Sequence, residues 1–205
     1  MNNIDVVILA AGKGTRMKST QPKVMHQLAG KPLLDHVIDT ATTLKPKEII
    51  IVVGHEETII RKHYAQTHLT FVSQKQQLGT GHAVSQASKH LTSAKTLILL
   101  GDVPCIRPDS IKSLTDCPAD VAVLTQILEN PTGYGRIIRG DDGSPHMILE
   151  EKDADQKEKQ TREINTGIFC VKTPLLKKFL VALTNDNANE EYYLTDIIKY
   201  ASNQG

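Results

Sequence analysis

The chain has 205 residues, 40% of them hydrophobic, no Trp and a formal net charge of +1. That length suits one large α/β domain with a core of Val, Ile, Leu and Ala, and so small a charge excludes general attraction to nucleic acid or a membrane surface. Cys105, Cys117 and Cys170 are odd in number and form no C-x-x-C, so free thiols are expected rather than a disulfide framework or zinc site; with no signal peptide and no apolar run near the ~20 residues of a membrane span, a cytoplasmic protein is expected.

An apolar run opening at Ile4 feeds into the glycine-punctuated basic loop Ala11-Gly12-Lys13-Gly14-Thr15-Arg16-Met17, closed by Pro22-Lys23. A strand followed by such a loop presents backbone N–H groups to phosphate. The P-loop string is absent, and the third glycine position of the dinucleotide fingerprint is Met17. A plain tight turn is therefore the competing account of this loop.

Helical spacing of Leu33, Leu34, Val37, Ile38, Ala41 and Leu44 predicts a helix over Pro32 to Leu44, with Pro32 in its first turn. Glu48 to Val53 is a continuous apolar strand, the pattern of a sheet buried on both faces. A helix over Thr58 to Tyr64, a strand over Leu69 to Val72, a helix over Thr80 to Leu91 and a strand over Thr96 to Leu100 follow. A helix over Pro108 to Leu114 and a strand over Asp120 to Ile127 complete an alternation typical of a Rossmann-like, mixed but mostly parallel sheet. Beyond it, Arg136 to Arg139 and His146 to Glu151 read as a β-hairpin around a Gly-Asp-Asp-Gly turn, the start of a β-rich lobe. A charged segment, a strand over Asn165 to Val171, and helices over Pro174 to Leu183 and Tyr193 to Ala201 end the chain. Without a repeat or linker, residues 1–205 form a single domain.

Gln74 to Ala83, reading Q-K-Q-Q-L-G-T-G-H-A, links a strand to a helix. A glutamine amide both donates and accepts and can pair with a base edge. The glycines allow a backbone to meet a planar base, or the loop is a helix cap with Thr80 as the capping residue. Asp102 ends a buried strand in L-G-D-V-P, where ligands of open α/β sheets bind and where a carboxylate can hold Mg²⁺. A turn cap before Pro104 is the plainer account. Gly133 and Gly135 fit a simple turn. Of the adjacent acids Glu150 and Glu151, strand alternation lets only one point inward. Asn189 to Asp196 has the look of a helix start with a cap and acidic first turn.

Taken together, L-A-A-G-x-G-T-R-M with P-K, Q-x-x-Q-L-G-T-G-H-A, G-D-x-P, P-T-G-Y-G-R, E-x-K-D-A, E-I-N-T-G and E-Y-Y-x-T-D resemble, in order, one family. It is the N-terminal uridylyltransferase half of the bacterial bifunctional N-acetylglucosamine-1-phosphate uridylyltransferase/glucosamine-1-phosphate acetyltransferases. The resemblance runs from Val6 to Ile198 and implies the nucleotide-diphospho-sugar transferase fold. It implies transfer of a uridylyl group from UTP to N-acetylglucosamine 1-phosphate, releasing pyrophosphate and making UDP-N-acetylglucosamine for cell-wall synthesis. It further implies nucleotide binding at Leu9, Ala10, Ala11, Gly12, Gly14, Gln74, Gln77, Gly79, Thr80 and Gly101. Arg16 and Lys23 are expected on the phosphates, and Asp102 on Mg²⁺. Gly135, Glu150, Asn165, Tyr193 and Thr195 are expected on the sugar.

The chain departs from the family in two ways. It does not include the family's stretch with a second metal ligand, an Asn, nor the β-helix acetyltransferase half that holds the family's trimer, so a monomer is expected. Leu100 stands where an aromatic residue is expected before Gly-Asp. Two alternatives remain open at this stage. One is a same-fold transferase for another nucleotide or sugar phosphate; the other is a domain that holds UDP-sugar without turnover.

Overall fold

The computed structural model describes residues 3–14 and 17–204. Its framework is the parallel set β1 (Ile4–Ala10), β4 (Glu48–Val53), β5 (Thr70–Ser73) and β6 (Lys95–Leu100), ordered β5-β4-β1-β6. A small hairpin of β2 (Gln27–Leu28) and β3 (Lys31–Pro32) stands apart from this sheet.

The apolar strand runs determine the layers. Val6, Val7 and Ile8 of β1 are all fully buried, because helices cover both faces. Alternation sends Val6 and Ile8 towards α1 (Leu33–Thr42), α2 (Glu57–His63) and α4 (Pro108–Asp116), where Leu34, Val37, Ile60 and Ile111 meet them. Val7 points the other way, to Val84 of α3 (Thr80–Ala87), Phe179 of α5 (Thr173–Ala182) and Ile197 of α6 (Asp196–Ser202). Each such side chain contributes about 1.5–3 kcal/mol by leaving water. Asp5, buried at the start of β1, accepts the Thr92 and Ser93 N–H groups at 2.6 and 2.8 Å and ties this strand to the start of β6.

The second half of the sheet is antiparallel. β10 (Glu163–Lys172) pairs with β6 at Phe169 to Lys172 and with β8 (Arg136–Arg139) at Ile164. Its other edge carries β7 (Val121–Ile127), while β9 (Pro145–Leu149) pairs with β8. The register of β10 on β7 shifts between Asn165 and Phe169, around Gly167 with φ +78°. There β10 leaves β6 and joins β8, so the two halves of the sheet part beside the end of β6.

Several expectations shift. Pro32 closes β3 and caps α1 instead of sitting in its first turn. The helix from Thr80 ends at Ala87, and a 3₁₀ turn covers Ser88–His90. Tyr193 lies before the last helix, which starts at Asp196. Thr195 takes the N-cap position of that helix and Asp196 its acidic first turn, as the helix-start reading of this segment expects, while Tyr192 and Leu194 before them dock against the loop at 78–81. Glu150 and Glu151 lie past the end of β9. Among the described residues no helix is long and apolar enough to cross a membrane.

Candidate active site

A cleft of about 300 Å³ opens at the carboxyl ends of β1, β5 and β6. Leu9, Ala10, Ala11 and Gly12 form its floor, Gln74, Gln77, Gly79 and Thr80 one wall, and Lys23 and Asp102 meet at another. The strand–loop motif, the glutamine loop and the acid of G-D-x-P thus come from three separate stretches to one place. Arg16, expected on the phosphates, lies outside the described residues. A larger groove of about 1120 Å³ runs along β7 between α4 and α6, and none of the expected site residues lines it.

Two of the expected nucleotide residues stand behind the cleft. Gly14, at φ +59°, packs against Lys23: a Cβ there would lie 2.8 Å from the lysine Cβ. It seats the base of Lys23. Gly101 is wedged under the floor, where a Cβ would meet the Leu9 carbonyl at 3.1 Å and Val24 at 3.2 Å, and its N–H donates to that carbonyl at 2.9 Å.

Lys23 and Asp102 form an ion pair, with side chains 42% and 26% exposed. Partial exposure keeps the pair within reach of incoming anions and cations, and solvent keeps it weak. Gln74 is the opposite case, only 3% exposed. Its Nε2 donates to the Gly79 carbonyl at 3.0 Å and lies 3.0 Å from His82 Nδ1.

The wall is itself held by the segment before α6. Tyr192 donates its N–H to Leu78 O and accepts from Gly81 N, both at 2.8 Å, and Leu194 N–H donates to Thr80 Oγ1 at 3.0 Å. The Thr80 hydroxyl therefore serves this contact, and α3 has no side-chain cap. The glycines of the loop serve the same docking: a Cβ on Gly79 would lie 2.6 Å from Tyr192 O, and one on Gly81 would lie 2.9 Å from it.

The expected sugar residues gather in a second cluster, across the parted sheet. Gly135 leaves room for the Glu150 carboxylate, whose oxygens would lie 3.3 Å from a Cβ at that position. Asn165 N–H donates to Gly135 O at 2.9 Å, while its side-chain oxygen accepts the Gly167 N–H at 2.8 Å. Thr195 Oγ1 reaches Glu150 at 3.5 Å. Burial pushes the Glu150 carboxyl above the usual carboxylate range; Thr195 opposes the shift, and Asp153, Asp196 and Glu191 add to it. Tyr193 enters through a chain in which Lys152 donates to Asn189 and Asn189 to the Tyr193 hydroxyl, at 2.7 and 2.5 Å. Leu100 sits between the two clusters, its Cδ1 2.8 Å from where a Gly167 Cβ would be.

Glu151 turns to Arg136, which is 1% exposed, and accepts from its Nη2 at 2.7 Å. That pairing holds the Glu151 carboxyl below its ordinary range. Sequence reasoning missed Arg136 as the buried anchor of the turn, and missed His82 and Glu191 beside the cleft. All three stand inside quoted motif strings, Arg136 closing P-T-G-Y-G-R, His82 in L-G-T-G-H-A and Glu191 opening E-Y-Y-x-T-D, and that membership was the signal that could have found them.

These features define a Rossmann-like nucleotide-binding domain with its cleft at the carboxyl ends of the strands. The chain belongs to the MobA-like NTP transferase domain family, whose match covers residues 6–141. It is 49% identical over 205 residues to the bifunctional protein GlmU of Pseudomonas paraeruginosa, covering 99% of this chain and 45% of that protein. It is 51% identical over 204 residues to the bifunctional protein GlmU of Dechloromonas aromatica, covering 98% and 45%. The chain thus spans less than half the length of these relatives. A solved UDP-glucose pyrophosphorylase complexed with UDP-glucose superposes with a TM-score of 0.79 at 19% identity, over 100% of this chain and 88% of that one, a likeness of fold.

Proposed function

We propose that this domain transfers a uridylyl group from UTP to N-acetylglucosamine 1-phosphate, yielding UDP-N-acetylglucosamine and pyrophosphate. The observation that carries the reading is the cleft itself. It sets the Lys23–Asp102 pair opposite the Gln74–Thr80 wall, in a chain about half identical to GlmU proteins.

In this reading the uracil lies against Gln74, Gly79 and Thr80, and the phosphates lie over the Gly12 loop towards Lys23. The sugar reaches Glu150 and Asn165, with Gly135, Tyr193 and Thr195 shaping that end. An oxygen of the sugar 1-phosphate forms a bond to the α-phosphorus of UTP. The bond from that phosphorus to the bridging oxygen breaks, and its electron pair leaves with pyrophosphate. The attacking phosphate is already mostly a dianion at pH 7, since its second pKa is about 6, so no general base is needed. The protein aligns two anions and offsets their charge. Lys23 does so by exchanging Asp102 for a phosphate oxygen, which frees the carboxylate.

The freed Asp102 fits a divalent cation such as Mg²⁺. That ion takes one or two carboxylates and fills its remaining positions with water and substrate phosphate. Asp102 would supply a carboxylate to such an ion, with substrate phosphate and water taking further positions. When bound, the ion would neutralise charge on the phosphates. The domain acts as a cytoplasmic monomer in this reading.

The test is pyrophosphate release from UTP with Mg²⁺ and either N-acetylglucosamine 1-phosphate or glucose 1-phosphate. Release with the acetamido sugar alone is expected. Release with both sugars removes the sugar assignment, and binding of UDP-N-acetylglucosamine without release leaves a binding domain. Lys23→Met and Asp102→Asn are each expected to lower turnover by about 100-fold or more while UTP affinity changes far less. Unchanged turnover removes that residue from the mechanism.

A further inference from the structure

Arg136 is buried almost completely, while its partner Glu151 keeps 32% of its side chain exposed. The guanidinium divides its donors among three stretches. Nη1 donates to Tyr134 O, Nη2 to Glu151 Oε2 at 2.7 Å, and Nε to Lys159 O at 3.4 Å. Glu151 Oε2 accepts a second bond, from the Gly133 N–H at 3.2 Å. The pair thus closes the turn at 133–136 onto the residue that follows Glu150.

Three of the groups expected at the sugar end border this pair. Gly135 lies between Tyr134 and Arg136, the two residues that the Nη1 bond joins. Glu150 precedes Glu151, so anchoring one carboxylate on Arg136 leaves the other to turn towards Gly135, where both its oxygens would lie 3.3 Å from an added Cβ. Asn165 takes its place from Gly135, whose carbonyl accepts its N–H at 2.9 Å. A buried guanidinium that loses its carboxylate is an uncompensated charge. The backbone free to give way around it is the exposed stretch at 132–134, which carries Gly135 with it.

We propose that Arg136 and Glu151 are positioning residues for the sugar phosphate: their ion pair sets Gly135, Glu150 and Asn165 relative to one another. Neither side chain touches substrate. The inference rests on the reading that this lobe takes the sugar of N-acetylglucosamine 1-phosphate.

Arg136→Met endangers the fold of the lobe, so the test is made on the more exposed partner. Steady-state kinetics of the parent, Glu151→Ala and Glu151→Gln are measured with each substrate varied in turn. Glu151→Ala is expected to raise the KM for N-acetylglucosamine 1-phosphate at least about tenfold, as misplaced positioning groups do, with the KM for UTP unchanged. Glu151→Gln keeps an oxygen for Arg136 Nη2 and is expected to recover most of that loss. Hydrogen exchange of the ligand-free protein reads the pair without any substrate. The Asn165 amide is expected to exchange faster in Glu151→Ala, and the Gly81 and Leu194 amides at the nucleotide wall to exchange as in the parent. An anchor that serves stability alone would lower the urea midpoint and leave both KM values unchanged or raise them together; either result overturns the proposal, as does an Asn165 amide that stays protected in Glu151→Ala. Faster Asn165 exchange in the variant, beside a parent that does not use the acetamido sugar phosphate, locates the failure in the reading of the sugar and not in the ion pair.

Discussion

Gly79→Ala tests how the cleft wall is built. At φ +105°, a side chain there is strained, and its Cβ would lie 2.6 Å from Tyr192 O and 2.8 Å from Tyr192 N. Both contacts are backbone, so no rotamer change relieves them, and the segment around Tyr192 must lift from the loop. That movement breaks the bonds Tyr192 N–Leu78 O, Gly81 N–Tyr192 O and Leu194 N–Thr80 Oγ1. Three hydrogen bonds at about 1 kcal/mol each, with about 1–3 kcal/mol for a backbone at φ +105°, ψ 175° that is open essentially to glycine alone, give ~4–6 kcal/mol. That is a large share of the ~5–15 kcal/mol that usually separates folded from unfolded. Urea unfolding measures the midpoint and slope, and hydrogen exchange follows the Gly81, Tyr192 and Leu194 amides. Gly133→Ala is the control: its φ is +88° but nothing stands within 4 Å of the added Cβ, so only about 1–2 kcal/mol is expected. Equal losses in the two variants, with the three amides still protected in Gly79→Ala, would refute the docking argument.

Gly12→Ala should separate stability from binding. A Cβ there meets nothing within 4 Å yet projects from the floor of the cleft, so stability should stay within about 0.5 kcal/mol while UTP affinity falls; unaltered affinity would move the phosphates elsewhere. Glu150→Gln should trade substrate use for stability. Burial raises the Glu150 pKa, so between the ordinary carboxylate range and that raised value the folded state binds more protons than the unfolded state. Stability therefore falls as pH rises through that window. The glutamine variant should lose this slope and be the more stable form above the window in urea melts from pH 4 to 8, while its use of the sugar phosphate drops about 10- to 100-fold. A slope identical to the parent's would mean that the carboxyl is not responsible.

The outline of the fold was legible because local pattern and burial agree. Continuous runs such as Glu48–Val53 are needed where helices cover both faces of a sheet, and the strands at Glu48–Val53 and Arg136–Arg139 have the bounds read from sequence. Agreement fails where a residue's local preference competes with a distant partner. Thr80 has the composition of a cap, but its hydroxyl is taken by Leu194 N–H, 114 residues away. Asn189 to Asp196 carries helix-start signals, but the helix waits until Thr195 and Asp196, because Tyr192 and Leu194 are paired with the loop at 78–81. The strands β2 and β3, two residues each, are too short to show any period.

The sequence by itself determined the strand and helix order, the both-sided burial of the sheet and the identity of most cleft residues. These follow from the spacing of apolar side chains and from short motifs whose members are neighbours in the chain. Only the tertiary structure decided which glycines face the cleft and which seat Lys23 or the floor beneath Leu9. It alone showed that Glu150 turns towards Gly135 and Thr195 while Glu151 turns to Arg136, and that His82 stands 3.0 Å from Gln74. Such facts depend on the distances between groups far apart in sequence, and on which end of a hydrogen-bonding group meets its partner, and neither is written in any local run of residues.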